Sequence, residues 1–158
     1  RKMMKKFAKI LLLSTFSFPA FAQDDKMPWQ DDASFAALSD TASSITGDIS
    51  LTGDEQEKTL TTAGGTEISL DFVEDRSSGW NLSDPEVWPG AVFAIDEDPG
   101  PLENGNTLCG DGPATYLVFT PLDDEIAGSI LQIAVFAGAA PENIDSNGLC
   151  GTLNYALE

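Results

Sequence analysis

The chain has no histidine and only two cysteines among its 158 residues. Without an imidazole, a Ser-His-Asp or Cys-His catalytic set cannot be assembled. Two cysteines without histidine also fall short of the four nitrogen or sulfur ligands of a zinc site. Phosphate-binding glycine loops, dinucleotide fingerprints and the Gly-x-Ser-x-Gly elbow are missing as well. Positive charge is scarce, with 8 Lys and Arg against 26 Asp and Glu. No apolar run approaches the roughly 20 residues of a membrane-spanning helix.

Most of the positive charge sits at the front. Arg1, Lys2, Lys5, Lys6 and Lys9 precede an apolar run from Ile10 to Phe18, which is broken at Pro19. Ala20-Phe21-Ala22 then has the small-x-small pattern of a signal-peptidase site, so residues 1–22 read as a signal peptide cleaved after Ala22. No cysteine stands at the cleavage point to carry a lipid. The expected location is periplasmic or secreted, with no membrane insertion once the signal is gone. Lys26, Lys58 and Arg76 are then left against all 26 acids, a formal net charge of −23. Such a chain cannot neutralise phosphates through a basic patch, which argues against nucleic acid or anionic lipid. The charge favours solubility and would suit a cationic protein or metal ions as partner.

Residues 23–44 read as a polar leader. Its first part, 23–31, is acidic and expected to be mobile. Asp32 is placed to cap a short helix over Ala33 to Leu38, with Phe35 and Leu38 on one face. Residues 45–158 read as a β-domain. Strands are expected at Ile45–Leu51, Lys58–Thr62, Thr66–Val73, Ala91–Ile95, Ala114–Thr120, Ser129–Phe136 and Thr152–Leu157. Ile68, Leu70 and Phe72 alternate at period two. Pro121 is expected to end its strand. Ser129–Phe136 is apolar on both faces, the mark of a central strand. The fold class is therefore all-β: a single small antiparallel barrel or sandwich of about seven strands with one disulfide, arranged as a meander.

The disulfide expectation rests on two echoing phrases. Asn104-Gly105-Asn106-Thr107-Leu108-Cys109-Gly110 is matched by Asn147-Gly148-Leu149-Cys150-Gly151. An even cysteine count in an exported chain points to a bond between Cys109 and Cys150. Closing a loop of about 40 residues stabilises by roughly 4 kcal/mol in the chain-entropy account.

No residue is assigned a catalytic role and no cofactor is implied, although abundant carboxylates keep a carboxylate-dependent hydrolase as an alternative. Calcium ligands could come from Asp96, Glu97 and Asp98, or from Asp123, Asp124 and Glu125, neither set having EF-hand spacing. Trp80 and Trp88 lie in an irregular stretch, residues 75–90, that also holds Arg76, Ser78 and Gly79. These five residues form a candidate binding loop. The other reading is that the tryptophans plug the open end of the sheet. Asn81-Leu82-Ser83 fits a glycosylation acceptor.

The two cysteine phrases, together with Thr115-Tyr116-Leu117-Val118, Ala134-Val135-Phe136 and Ile45-Thr46-Gly47-Asp48-Ile49, resemble a group of small uncharacterised exported proteins of alphaproteobacteria. That resemblance implies export and a paired Cys109 and Cys150, and brings no activity with it. Ser78-Gly79-Trp80-Asn81-Leu82 is loosely similar to the Ser-Gly-x-x-Tyr loop of periplasmic lysozyme inhibitors, which are small disulfide-bearing β-barrels. Leu82 stands where that loop has tyrosine. The expected function is an exported, non-catalytic acidic β-domain that binds a partner or associates with the envelope. Inhibition of a cationic envelope-acting enzyme, such as lysozyme, is the first alternative.

Overall fold

The computed structural model describes residues 27–80, 89–124 and 128–158. The expected signal peptide, residues 23–26, Asn81-Leu82-Ser83, Trp88 and Glu125 lie outside the described residues. Among the described residues, apolar patterning builds eight strands: β1 (Ala33–Ala37), β2 (Ile49–Gly53), β3 (Glu57–Thr61), β4 (Glu67–Arg76), β5 (Gly90–Ile95), β6 (Tyr116–Asp124), β7 (Gly128–Phe136) and β8 (Leu149–Leu157). One short helix, α1 (Asp40–Ile45), lies between β1 and β2. Each strand pairs antiparallel with the next, and β1 pairs with β8, so the sheet closes into a barrel. The choice between barrel and sandwich is thereby decided, and the meander order holds throughout.

The eighth strand is β1, which occupies the segment expected to be helical. Phe35 pairs with Ile49 on one side and Leu157 on the other, and its ring is fully enclosed. Two flanking ladders and a buried ring outweigh the local helix preference of an alanine-rich segment. The helix forms further along, capped by Ser39, whose Oγ accepts from the Ala42 N–H at 3.1 Å. Asp32 caps no helix; its Oδ1 accepts from the Gly53 N–H at 3.0 Å. The barrel thus begins inside the expected leader, and the strand expected from Ile45 starts at Ile49.

Pro121 does not end β6, which runs on to Asp124 opposite β7. Among the described residues, β6 pairs with β5 only up to Phe119, and proline is tolerated where a strand has lost one neighbour.

Phe35, Leu51, Leu70, Phe93, Phe119, Leu131 and Ile133 fill the barrel, each at most 1% exposed. A second cluster sits outside the wall of β5, β6 and β7. Val92, Val118, Ala134 and Phe136 are covered there by Trp80 and Ile144. The Trp80 and Phe136 rings meet edge to face at 6.2 Å. Gln132 Nε2 donates to the Trp80 carbonyl at 2.8 Å, and the Ile144 N–H donates to the Gly79 carbonyl at 2.7 Å. A Cβ on Gly90 would come within 2.5 Å of the indole, so glycine there is required by contact. This outer cover is why β7 is apolar on both faces. Elsewhere the outer face is polar, as with Thr59 and Thr61 on β3 and Glu67, Ser69 and Asp71 on β4.

The two barrel ends differ. One end carries α1, the β3–β4 turn, the 96–115 loop and the 137–148 loop. Cys109 and Cys150 are joined there with their Cα atoms 5.0 Å apart. Cys150 is the extra residue of a bulge, since Val135 pairs with Gly151 and Phe136 with Leu149. The side-chain amides of Asn104 and Asn106 donate to the Ser44 carbonyl at 3.2 and 2.7 Å, tying the first cysteine phrase to α1. Tyr155, fully buried, shares a 2.6 Å hydrogen bond with Thr46 just past the helix.

Candidate functional site: the open barrel mouth

The opposite end is formed by the β2–β3 turn, the end of β4, the start of β5 and residues 27–32 before β1. Residues 27–31 of the leader expected over 23–31 form a turn here. Gln30 N–H donates to the Met27 carbonyl at 3.0 Å, and Met27 N–H donates to Gln30 Oε1 at 2.9 Å. That small turn presents Trp29 to the barrel, where it is 6% exposed. Its ring stands edge to face with Phe119 at 5.9 Å. Phe119 lies 4.8 Å from Phe93, and Phe93 lies 5.6 Å from Phe72. A chain of four aromatic rings thus crosses the mouth.

Trp29 does not fill it. A cavity of about 170 Å³ is lined by Trp29, Phe72, Phe93 and Lys58, with Gln30, Glu55, Gln56 and Asp75 around it. Lys58 faces inward because it alternates with Leu60 and pairs with Leu70. The residue is 3% exposed, and its ammonium is buried without a hydrogen-bond partner. Burial pushes the ammonium below the usual lysine range, against the opposing attraction of Asp32, Asp54, Glu55 and Asp31. Those carboxylates are within electrostatic reach, yet none bonds the ammonium. Asp54 is engaged instead with the turn, accepting from the Gln56 and Glu57 N–H groups at 2.8 and 2.9 Å. These bonds hold its carboxyl below the ordinary range.

A bulge sets the rim. Phe72 pairs with Phe93 and Glu74 with Val92, leaving Val73 as the extra residue. The inward and outward faces exchange at that point. Asp75 is therefore aligned with inward-facing Ala91, and its carboxyl borders the cavity. Burial, and then Glu55, raises the Asp75 pKa. A second cavity of about 400 Å³ adjoins the first, sharing Trp29, Gln30 and Asp75 and reaching Arg76, Ser77 and Gly90. Together these features form a mouth with an aromatic floor, one enclosed cation and a polar, partly acidic rim.

No family model, curated protein or solved structure matches this chain.

The described residues of the expected binding loop take different roles. Arg76 borders the second cavity and donates from Nη2 to Glu74 at 2.7 Å. Ser78 is exposed, and Gly79 takes a positive φ of 103°. Trp80 is neither an exposed reader nor a plug in the barrel end. It is fully buried against the outer wall, because Val92, Val118 and Ala134 offer an apolar strip that needs covering. Trp88 lies outside the described residues.

The two calcium-candidate sets fall at opposite ends of the barrel. Asp96 follows β5 at the disulfide end, whereas Asp123 and Asp124 finish β6 near the mouth. Asp98 uses both oxygens on its own loop, accepting from the Ala114 and Gly100 N–H groups at 3.0 and 3.1 Å. Asp96 shares a hydrogen bond with Asp71, which together with the Asp96 charge raises the Asp71 pKa. Among the described residues, no group of three or more acids and cysteines is placed to hold a metal ion.

Sequence reasoning overlooked Trp29, Lys58, Phe72, Phe93 and Asp75 as site residues. For Lys58 a signal was present, since Lys58, Leu60 and Thr62 share one face of a strand. A lysine on an inward face is costly unless it is paired and hydrogen-bonded.

Proposed function

We propose that the protein is an exported, non-catalytic binding module that takes a small molecule into the mouth of its barrel. The observation carrying this reading is the enclosed, partnerless Lys58 ammonium beside an aromatic-lined cavity. Barrel mouths are recurrent ligand sites, and a few convergent polar groups in an apolar recess are their usual composition. A lone buried ammonium weakens the fold, so a ligand that completes its hydrogen bonding accounts for its presence. The basic and apolar start of the chain supports export, and the Cys109–Cys150 disulfide is compatible with an oxidising compartment. Periplasmic or extracellular residence follows from that reading. The test is a titration of the folded, disulfide-bonded protein with single-ring aromatic fragments, following the Trp29 indole N–H by NMR. Saturable shifts of that signal are expected; a resonance that no fragment moves would reject the module.

A carboxylate-dependent hydrolase is the second reading, favoured by Glu55 and Asp75 lining one cavity with the Asp75 pKa raised. A raised carboxyl is the form in which an acid catalyst is held ready. Turnover of chromogenic glycosides that Asp75→Asn abolishes would establish it, and no turnover across a glycoside panel would dismiss it.

A further inference from the structure

Resting on the binding reading, we infer that the ligand is a neutral, single-ring molecule carrying an acceptor oxygen, and that Lys58 donates to that oxygen. Three observations set this chemistry. The first is size: about 170 Å³ compares with the roughly 150 Å³ apolar cavity that admits benzene, so one ring with a short substituent fits. The second is the lining, which includes the aromatic side chains of Trp29, Phe72 and Phe93, natural neighbours for a ring. The third is charge. Lys58 can only donate, so its partner must be an acceptor. Glu55 and Asp75 border the same cavity, and Asp31, Asp32 and Asp54 lie within reach of the ammonium. One enclosed cation among five carboxyl groups gives an anionic ligand more repulsion than attraction. A carbonyl or hydroxyl oxygen meets the ammonium without adding charge. The same carboxyl groups already supply the counter-charge, so the ammonium lacks a hydrogen-bond partner more than it lacks an ion.

The experiment measures affinities of toluene, benzyl alcohol, benzamide and benzoate for the whole disulfide-bonded protein and for Lys58→Met and Lys58→Gln. Each variant is first checked for native circular dichroism, and glutamine retains a donor where methionine has none. In the parent protein, benzyl alcohol and benzamide should bind at least about tenfold more tightly than toluene, the scale of a hydrogen bond to a charged group. Benzoate should bind more weakly than benzamide. Lys58→Met should erase the preference for oxygen while keeping toluene, and Lys58→Gln should retain part of it. Equal affinity for toluene and benzamide in parent and variants would overturn the role of Lys58 and leave the aromatic site standing. Lys58-dependent binding that is tightest for benzoate would overturn the neutrality of the ligand. Failure of all four probes to bind would remove both this inference and the binding module beneath it.

Discussion

Replacing Lys58 with methionine should make the unliganded protein more stable. Methionine matches the length of the lysine stem and can lie along the same inward path between Leu60 and the mouth aromatics. What it removes is a buried ammonium with no partner. Leaving a buried polar group unsatisfied costs about 1–3 kcal/mol. Nearby carboxylates recover part of that, at about 0.2–1 kcal/mol for a solvent-exposed pair. The net gain expected for Lys58→Met is about 1–2 kcal/mol, or a rise of about 3–6 °C in melting temperature for a domain of this size. The pH dependence sharpens the test. Burial places the folded pKa of Lys58 below its unfolded value of about 10.4. Between those two values the unfolded chain holds more protons than the folded one, so the parent gains stability as pH rises through that window. The lysine penalty is therefore full below the folded pKa and fades on approach to pH ~10.4, and the advantage of Lys58→Met should fade with it. Urea unfolding of both proteins at neutral and alkaline pH measures the difference. A variant less stable than the parent at neutral pH, or an advantage independent of pH, would refute the reasoning.

Reduction of the Cys109–Cys150 bond should lower stability by up to about 4 kcal/mol, read as a fall in melting temperature with reductant or in Cys109→Ser/Cys150→Ser. Trp80→Ala should cost about 3–5 kcal/mol, because it strips the cover from Val92, Val118 and Phe136; urea unfolding tests it, and a loss under about 1 kcal/mol would show the outer cluster to be unimportant. Tyr155→Phe should cost about 0.5–1.5 kcal/mol, since the Thr46 hydroxyl loses a buried partner. Asp71→Asn should raise the melting temperature at neutral pH by removing a charge facing Asp96. The Asp71 pKa is raised on folding, so the folded parent binds the extra proton as pH falls and gains stability in that window. The difference from Asp71→Asn should then vanish below about pH 4, which paired melting scans would detect.

Strand content and order were readable because β3, β4 and β8 carry clear alternation, because β7 is a continuous apolar run of strand length, and because sequential strands in an all-β chain tend to neighbour each other. The disulfide was readable from two cysteines beside similar glycine turns. The segment Ala33–Ala37 was not, because five residues rich in alanine favour helix until a ladder on each side claims them. Closure itself is a long-range event that local pattern does not encode. The β4 bulge was equally hidden. Reading Ile68, Leu70 and Phe72 onward by twos puts Glu74 inside, whereas the bulge turns Asp75 to that face. Trp80 misled because a tryptophan in a glycine- and proline-rich stretch resembles an exposed reader. Its burial depends on an apolar strip assembled from three separate strands.

The pairing of β1 with β8 joins residues more than a hundred positions apart, Phe35 with Leu157 among them. Until β8 has emerged, the growing sheet has two raw margins, each able to recruit a neighbouring molecule. The seam can therefore be sewn only once β8 is available to meet β1. Removing the final strand would leave a curled ribbon prone to associate with its own kind.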